Sequence, residues 1–157
     1  MNIRPYTATD HDTCMEAMRS NTPAYFAEDE LVMFDRWLEA QEIGRLEHPV
    51  SEKEVYFILE EDGRVWGCGG YLLVKDTDEI FLAWGMIHSS KHKKGWGKAL
   101  LNFRIQHISE NHPDRKIALS TTQDIVPFFE KYGFVITQVK PRYYSSTLDR
   151  VEMEKRT

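Results

Sequence analysis

One stretch limits what this chain can fold into more than any other: residues 79 to 108, EIFLAWGMIHSSKHKKGWGKALLNFRIQHI. Ile80 to Ile87 is apolar apart from one glycine, too short to span a membrane and dense enough for a central strand buried on both faces. Trp96, Ala99, Leu100, Phe103 and His107 then fall at i, i+3, i+4, i+7 spacing, which predicts a helix beginning at about Gly95 and ending near Asn111-His112-Pro113. A glycine- and lysine-rich turn therefore sits at a helix N-terminus. There the first backbone N–H groups lack intrahelical partners and the macrodipole is positive, so an anion is favoured. Gly95 and Gly97 carry no side chain and let a large anionic group approach the backbone closely.

Charge points the same way. The chain has a formal net charge of -5, yet Lys91, Lys93, Lys94 and Lys98 crowd around this one turn. Four lysines alone would be a solvated charge run; the order strand, Gly-x-Gly, helix gives them a context. Two familiar phosphate loops do not fit. A Walker A loop needs Gly at the position of His92 and Ser or Thr where Ala99 stands, and a dinucleotide fingerprint needs a third Gly where Leu100 stands.

At 157 residues the chain is expected to form a single domain, 1–157, with the composition of an ordinary globular protein. Cys14 and Cys68 form no CxxC, so neither a disulfide framework nor a metal site is expected. No leader and no apolar stretch near ~20 residues is visible, which makes the cytoplasm the expected compartment, with no membrane association. Asn2 to Thr7 reads as a strand, and Thr9 or Asp10 as the cap of a helix that Asn21-Thr22-Pro23 stops. A second helix follows from about Glu28, with Leu31, Phe34, Trp37 and Leu38 at core spacing and Gly44 as its stop. Its outer face, Asp35, Glu39 and Glu42 with Glu28 to Glu30, is acidic and suited to a cationic amine as well as to solvent. Glu54 to Leu59 and Arg64 to Val74 are strands joined at Asp62-Gly63, a hairpin signal, and Gly67, Gly69 and Gly70 suggest a bulge or close backbone contact. The central strand then completes an antiparallel meander. Lys116 to Ser120 reads as a strand, Ile125 to Tyr132 as a short helix ended by Gly133, and Phe134 to Val139 with Arg150 to Glu154 as a last pair across the loop Pro141 to Asp149.

The order is β-α-α-β-β-β-α-β-α-β-β, an α+β arrangement with a mixed, mostly antiparallel sheet. It resembles the GNAT N-acetyltransferases over essentially the whole chain. His92-Lys93-Lys94-Gly95-Trp96-Gly97 is similar to that family's pyrophosphate loop, with His in place of the usual Gln or Arg. Phe128 to Phe134 is similar to its Tyr-Glu-Lys-x-Gly-Phe segment. The resemblance implies acetyl-CoA as cosubstrate and no metal. It implies cofactor contacts from Met86, Ile87 and Ser89 along the pantetheine arm, from His92 to Lys98 around the diphosphate (His92, Lys93, Lys94, Gly95, Trp96, Gly97, Lys98), and from Thr122 and Phe129. The backbone N–H of Ile87 would face the thioester oxygen.

Three side chains are candidates for moving protons. Glu79 shares strand parity with Ile87 and is a candidate base, two residues out of register with the family's carboxylate, where Phe81 stands. His88, with an intrinsic pKa near neutrality, is the other base candidate. Phe129 stands where many members place an acidic Tyr hydroxyl, so Tyr144, or its neighbour Tyr143, is the candidate acid. The expected activity is acetyl transfer to a primary amine of a small molecule or protein, in a chain compatible with a homodimer. A non-catalytic acyl-CoA binding domain is the alternative, and the acidic remainder argues against nucleic acid.

Overall fold

A computed structural model describes residues 1–156. Its elements, in chain order, are β1 (Asn2–Pro5), α1 (His11–Ser20), α2 (Glu30–Ile43), β2 (Ser51–Glu61), β3 (Arg64–Val74), β4 (Glu79–Ile87), α3 (Trp96–Asn111), β5 (Lys116–Thr121), α4 (Val126–Glu130), β6 (Val135–Ser145) and β7 (Leu148–Arg156). This is the expected order. The strands form one seven-stranded sheet in the sequence β1-β2-β3-β4-β5-β7-β6, with β4 in the middle and β4–β5 its parallel pair.

Local chemistry explains most boundaries. Asp62 and Gly63 both have positive φ, 52° and 76°, as a two-residue hairpin turn between β2 and β3 requires. Gly44 ends α2 at φ 70° and donates its N–H to Ala40. Asp10 does not cap α1 through its side chain; its carboxylate is held by both Arg4 nitrogens at 2.9 Å and by the Thr7 N–H at 2.9 Å, tying β1 to the start of α1. The expected loop Pro141 to Asp149 is instead mostly strand. β6 runs to Ser145 and only Ser146-Thr147 turn, while a wide bulge with Arg142 at φ 51° absorbs the extra residues opposite β7.

Two apolar layers sandwich the sheet. On one face Cys14, Met18, Phe34, Trp37 and Leu38 from α1 and α2 pack on Tyr56, Ile58, Cys68, Leu72, Ala83 and Met86. On the other, Leu101 and Ile108 of α3 pack on Phe57, Tyr71, Leu73, Ile80, Leu82 and Ile117. The two thiols, far apart in sequence, meet in the first layer, and the hydrogen bond to Cys68, together with burial, raises the Cys14 pKa strongly.

β4 does not keep one alternation along its length. Opposite β3, Cys68 pairs with Met86 but Gly70 pairs with Ala83, so β4 carries an extra residue at Trp84-Gly85, where Trp84 has φ 47°. Before this bulge the even residues Ile80 and Leu82 face α3; after it the odd residue Ile87 does, packing on Leu100, while Met86 faces α1 and α2. The parity that would place Glu79 and Ile87 on one face is therefore broken, because a bulge rotates the strand by one residue.

His11 joins the first two helices: its ring nitrogens lie 2.7 Å from Asp35 and 2.8 Å from Glu42. Burial opposes charge on the ring, and the bonds to Glu42 and Asp35 overcome it, so the pKa is raised. A raised folded-state pKa gives stability that is complete below the unfolded value of about 6.5 and is lost as pH rises through the folded value. We expect His11→Gln to cost about 1 kcal/mol in urea denaturation below that pH and much less at alkaline pH.

Candidate active site

The sheet opens beside the bulge. β4 and β5 pair only at Glu79–Lys116, Ile80–Ile117 and Phe81–Ala118, then part, and β5 continues against β7. Past that point the inner edge of β4 looks into a gap, and Gly85 is exposed there. The C-terminal end of β4 has its backbone oriented by a fixed ladder. His88 donates its N–H to Trp66 of β3 at 2.7 Å, so alternation turns both the N–H and the C=O of Ile87 away from β3. The C=O is taken up by Asn21 Nδ2 and His92 Nε2, each at 2.9 Å. Asn21, 3% exposed at the end of α1, also donates to Ala17 at 2.8 Å, and Ser89 donates its N–H to Ser20 Oγ at 3.0 Å. The end of α1 thus holds the end of β4, with the Ile87 N–H aimed into the gap.

The turn after β4 is a short 3-10 segment, Ser89–Lys91, then Lys93 at φ 61° and Gly95 at φ 81° as the N-cap of α3. The N–H groups of Trp96, Gly97 and Lys98 open the helix, and Ala99 donates its N–H to the Gly95 carbonyl at 3.1 Å. Gly97 faces α4: a Cβ there would stand 3.6 Å from the Phe128 ring. Nothing lies within 4 Å of a Cβ built on Gly95. Thr122, at the end of β5, is 4% exposed with a hydroxyl that has no hydrogen-bond partner. A cradle of bared N–H groups, a gap in the sheet and an unsatisfied buried hydroxyl suit an elongated ligand with an anionic group.

The expected cofactor residues divide accordingly. Gly95, Gly97, Lys98 and the Trp96 backbone form the mouth of α3, with Lys93 and Lys94 exposed beside it. The Trp96 side chain turns away, onto Leu59, Ile87 and Leu100 and towards Trp66. Lys91 lies over the Trp66 ring at 4.5 Å and the Trp96 ring at 5.4 Å. His92 spends its Nε2 proton on Ile87 and its ring edge on Tyr25, so it supports the strand end where a phosphate contact was expected. Met86 points into the α1–α2 layer, Ile87 offers its backbone, and Ser89 is tied to Ser20. Phe129 packs on Phe128 and Phe134.

The three candidate proton carriers are not brought together. Glu79 stands at the far end of β4, roughly 25 Å from Ile87 at the rise of a strand, and is paired with Lys116 at 3.1 Å. His88 sits edge-on to Trp66, with Nδ1 accepting from Ser90 N at 3.2 Å; burial, with Arg64 nearby, lowers its pKa and keeps it neutral. Tyr144 is half-buried on the last hairpin. Burial pushes its hydroxyl up to about 12, with Arg150 opposing and Glu30 reinforcing. Glu30, in the first turn of α2, accepts the Ala27 N–H at 3.1 Å, and burial raises its carboxyl pKa. Arg150 and Tyr144 of the last hairpin are near enough to Glu30 to feel its charge, and Phe26, in the segment before α2, meets the Trp84 ring at 6.4 Å.

Three further residues of this region were not expected: Asn21, Glu30 and Arg104, the last a charged residue on the buried stripe Leu100, Arg104, Ile108. The stripe was readable as i, i+4, i+8; the other two needed tertiary structure. Among the described residues no group of His, Cys, Asp and Glu is placed to hold a metal ion, and no helix is long and apolar enough to cross a membrane.

Solved structures share this mixed sheet that parts beside a glycine-capped helix. The E. coli ribosomal-protein-S18-alanine N-acetyltransferase matches with TM-score 0.74 at 16% identity, covering 99% of this chain and 92% of that one. Ard1 from Thermoplasma volcanium matches at 0.73 and 20%, covering 99% and 97%. An aminoglycoside 6'-N-acetyltransferase complexed with coenzyme A matches at 0.74 and 15%, covering 99% and 97%. No curated protein matches the sequence. Residues 22–157 match the model of the acetyltransferase (GNAT) domain, and the chain belongs to that family.

The Ile87 clamp is testable. Asn21→Ala leaves a buried carbonyl with one donor fewer, and we expect a loss of about 1–3 kcal/mol in chemical denaturation.

Proposed function

We propose that the protein transfers the acetyl group of acetyl-CoA to a primary amine. The observation that carries this is the Ile87 N–H, held pointing into the β4–β5 gap by a carbonyl clamped from α1 and from His92. Bound acetyl-CoA supplies an acetyl group activated as a thioester. The bared amides at the mouth of α3 and the lysines around them bind its diphosphate. The Thr122 hydroxyl is positioned to satisfy a polar group along the pantetheine arm, and the Ile87 amide stabilises negative charge gathering on the carbonyl oxygen.

The amine arrives protonated, because its ordinary pKa is near ~10, so a base has to take its proton. Glu30 is the stronger candidate: a half-buried carboxylate whose pKa burial raises, with Arg150 of the last hairpin opposing. Glu79 and His88 are committed elsewhere, the first to Lys116 and the second to Ser90 and Trp66. Tyr144 keeps its proton across the physiological range and is the candidate donor to the departing thiolate, in place of a hydroxyl that Phe129 lacks. Glu28, Asp29 and Glu30 at the start of α2 favour a cationic acceptor, either a small amine or a protein N-terminus. Phe129 also supports a second reading, a binding domain that holds acyl-CoA without turning it over.

Release of free coenzyme A from acetyl-CoA, followed across a panel of primary amines, separates the two. We expect turnover with at least one amine, its loss in Gly97→Glu, a fall of about a hundredfold in kcat for Tyr144→Phe, and little change for Glu79→Gln. Tight binding of coenzyme A with no turnover on any amine would leave only the binding domain.

A further inference from the structure

The face that α3 turns to the sheet consists of Leu100, Leu101, Arg104 and Ile108. Arg104 is 5% exposed, as dry as its apolar neighbours. Its Nη1 donates to the Gly70 carbonyl at 3.3 Å, and its Nε has no hydrogen-bond partner. No carboxylate pairs with it among the described residues, and the Gly70 carbonyl is its one hydrogen-bond partner. Burial pulls its pKa down to about 10, so it stays a cation at neutral pH. A buried charge with so few partners is costly, and a well-packed apolar side chain in its place would be neutral or stabilising.

The surrounding backbone is shaped to admit it. A Cβ on Gly85 would stand 2.7 Å from Nη2 and 2.9 Å from Nη1; one on Gly69 would stand 3.2 Å from Cζ. Any other residue at Gly85 would have to push the guanidinium aside. Gly85 is the second residue of the β4 bulge and is exposed to the gap where β4 leaves β5. On the opposite face Tyr56 donates to the Trp84 carbonyl at 2.7 Å. The bulge is thus packed against the guanidinium on one face and hydrogen-bonded to Tyr56 on the other. Ile87, whose amide points into that gap, is two residues further on, about 7 Å along the strand.

We propose that Arg104 is a positioning residue for acyl transfer: seated in the space left by Gly69 and Gly85, it fixes the β4 bulge and sets a positive potential behind the Ile87 amide. Charge accumulating on the thioester oxygen is stabilised by that potential, which acts through a medium with little water to screen it. This deepens the acetyl-CoA reading and rests on it.

The test is difference infrared spectroscopy of bound acetyl-CoA carrying carbon-13 at the thioester carbonyl, on wild type, Arg104→Met and Arg104→Gln, alongside acetyl-CoA affinity and amine turnover. We expect both neutral variants to fold and to bind acetyl-CoA as wild type does. Their carbonyl band should move to higher frequency as the polarising field is lost, and kcat should fall about tenfold with KM for acetyl-CoA unchanged. A band at the wild-type frequency in a folded neutral variant would overturn the proposal. So would a rate loss matched by an equal loss of acetyl-CoA affinity, or a chain that folds with neither neutral side chain. Failure of the wild type to bind acetyl-CoA removes the parent reading and this one together; binding with a band indifferent to Arg104 removes this one alone.

Discussion

Everything distinctive about this molecule depends on a parallel strand pair that is made and then abandoned. β4 and β5 share three residues of ladder and separate. Separation leaves backbone groups inside a sheet without strand partners, which is costly unless something else meets them. The chain meets one of them from its own side chains, when Asn21 and His92 both donate to the Ile87 carbonyl. The corresponding N–H is turned into the opening, and that asymmetry leaves a backbone donor at the corner suited to a ligand oxygen. The bulge at Trp84-Gly85 serves the same end: one extra residue rotates the strand so that Ile87, and not its neighbours, lies on the α3 side.

Electrostatics is arranged around that corner against the trend of the whole chain. A net-acidic protein gathers lysines at the mouth of α3, where the helix end is already positive. It buries a further cation, Arg104, beneath the adjacent strand. On the other side of the sheet the carboxylates of α2 include one, Glu30, that burial makes easier to protonate. An anionic ligand entering by α3 and a cationic one approaching by α2 would therefore be drawn to opposite faces of the same opening.

Much of this was legible in sequence, because the strongest signals are local. The run Ile80 to Ile87, the i, i+3, i+4 stripe after Gly95, Asp62-Gly63 and Gly44 each specify their own geometry, and together they gave the element order. What stayed hidden is what depends on partners far away in the chain. Glu79 and Ile87 share parity in the sequence but not a face of the sheet, because the bulge between them is defined only by pairing with β3. His92 read as a phosphate contact because of its place in a motif, yet its proton goes to a carbonyl five residues earlier. The polar stretch Pro141 to Asp149 read as loop because period-two alternation is lost in a wide bulge, although pairing with β7 resumes at Ser145–Leu148.

The central claim is that the glycine-capped mouth of α3 and the Ile87 amide hold the two ends of one ligand. A crystal structure of the protein soaked with acetyl-CoA tests it most directly. The diphosphate should lie against the N–H groups of Trp96, Gly97 and Lys98, with the thioester oxygen within hydrogen-bond distance of the Ile87 nitrogen. Ligand density lodged elsewhere, with this corner vacant, would contradict it.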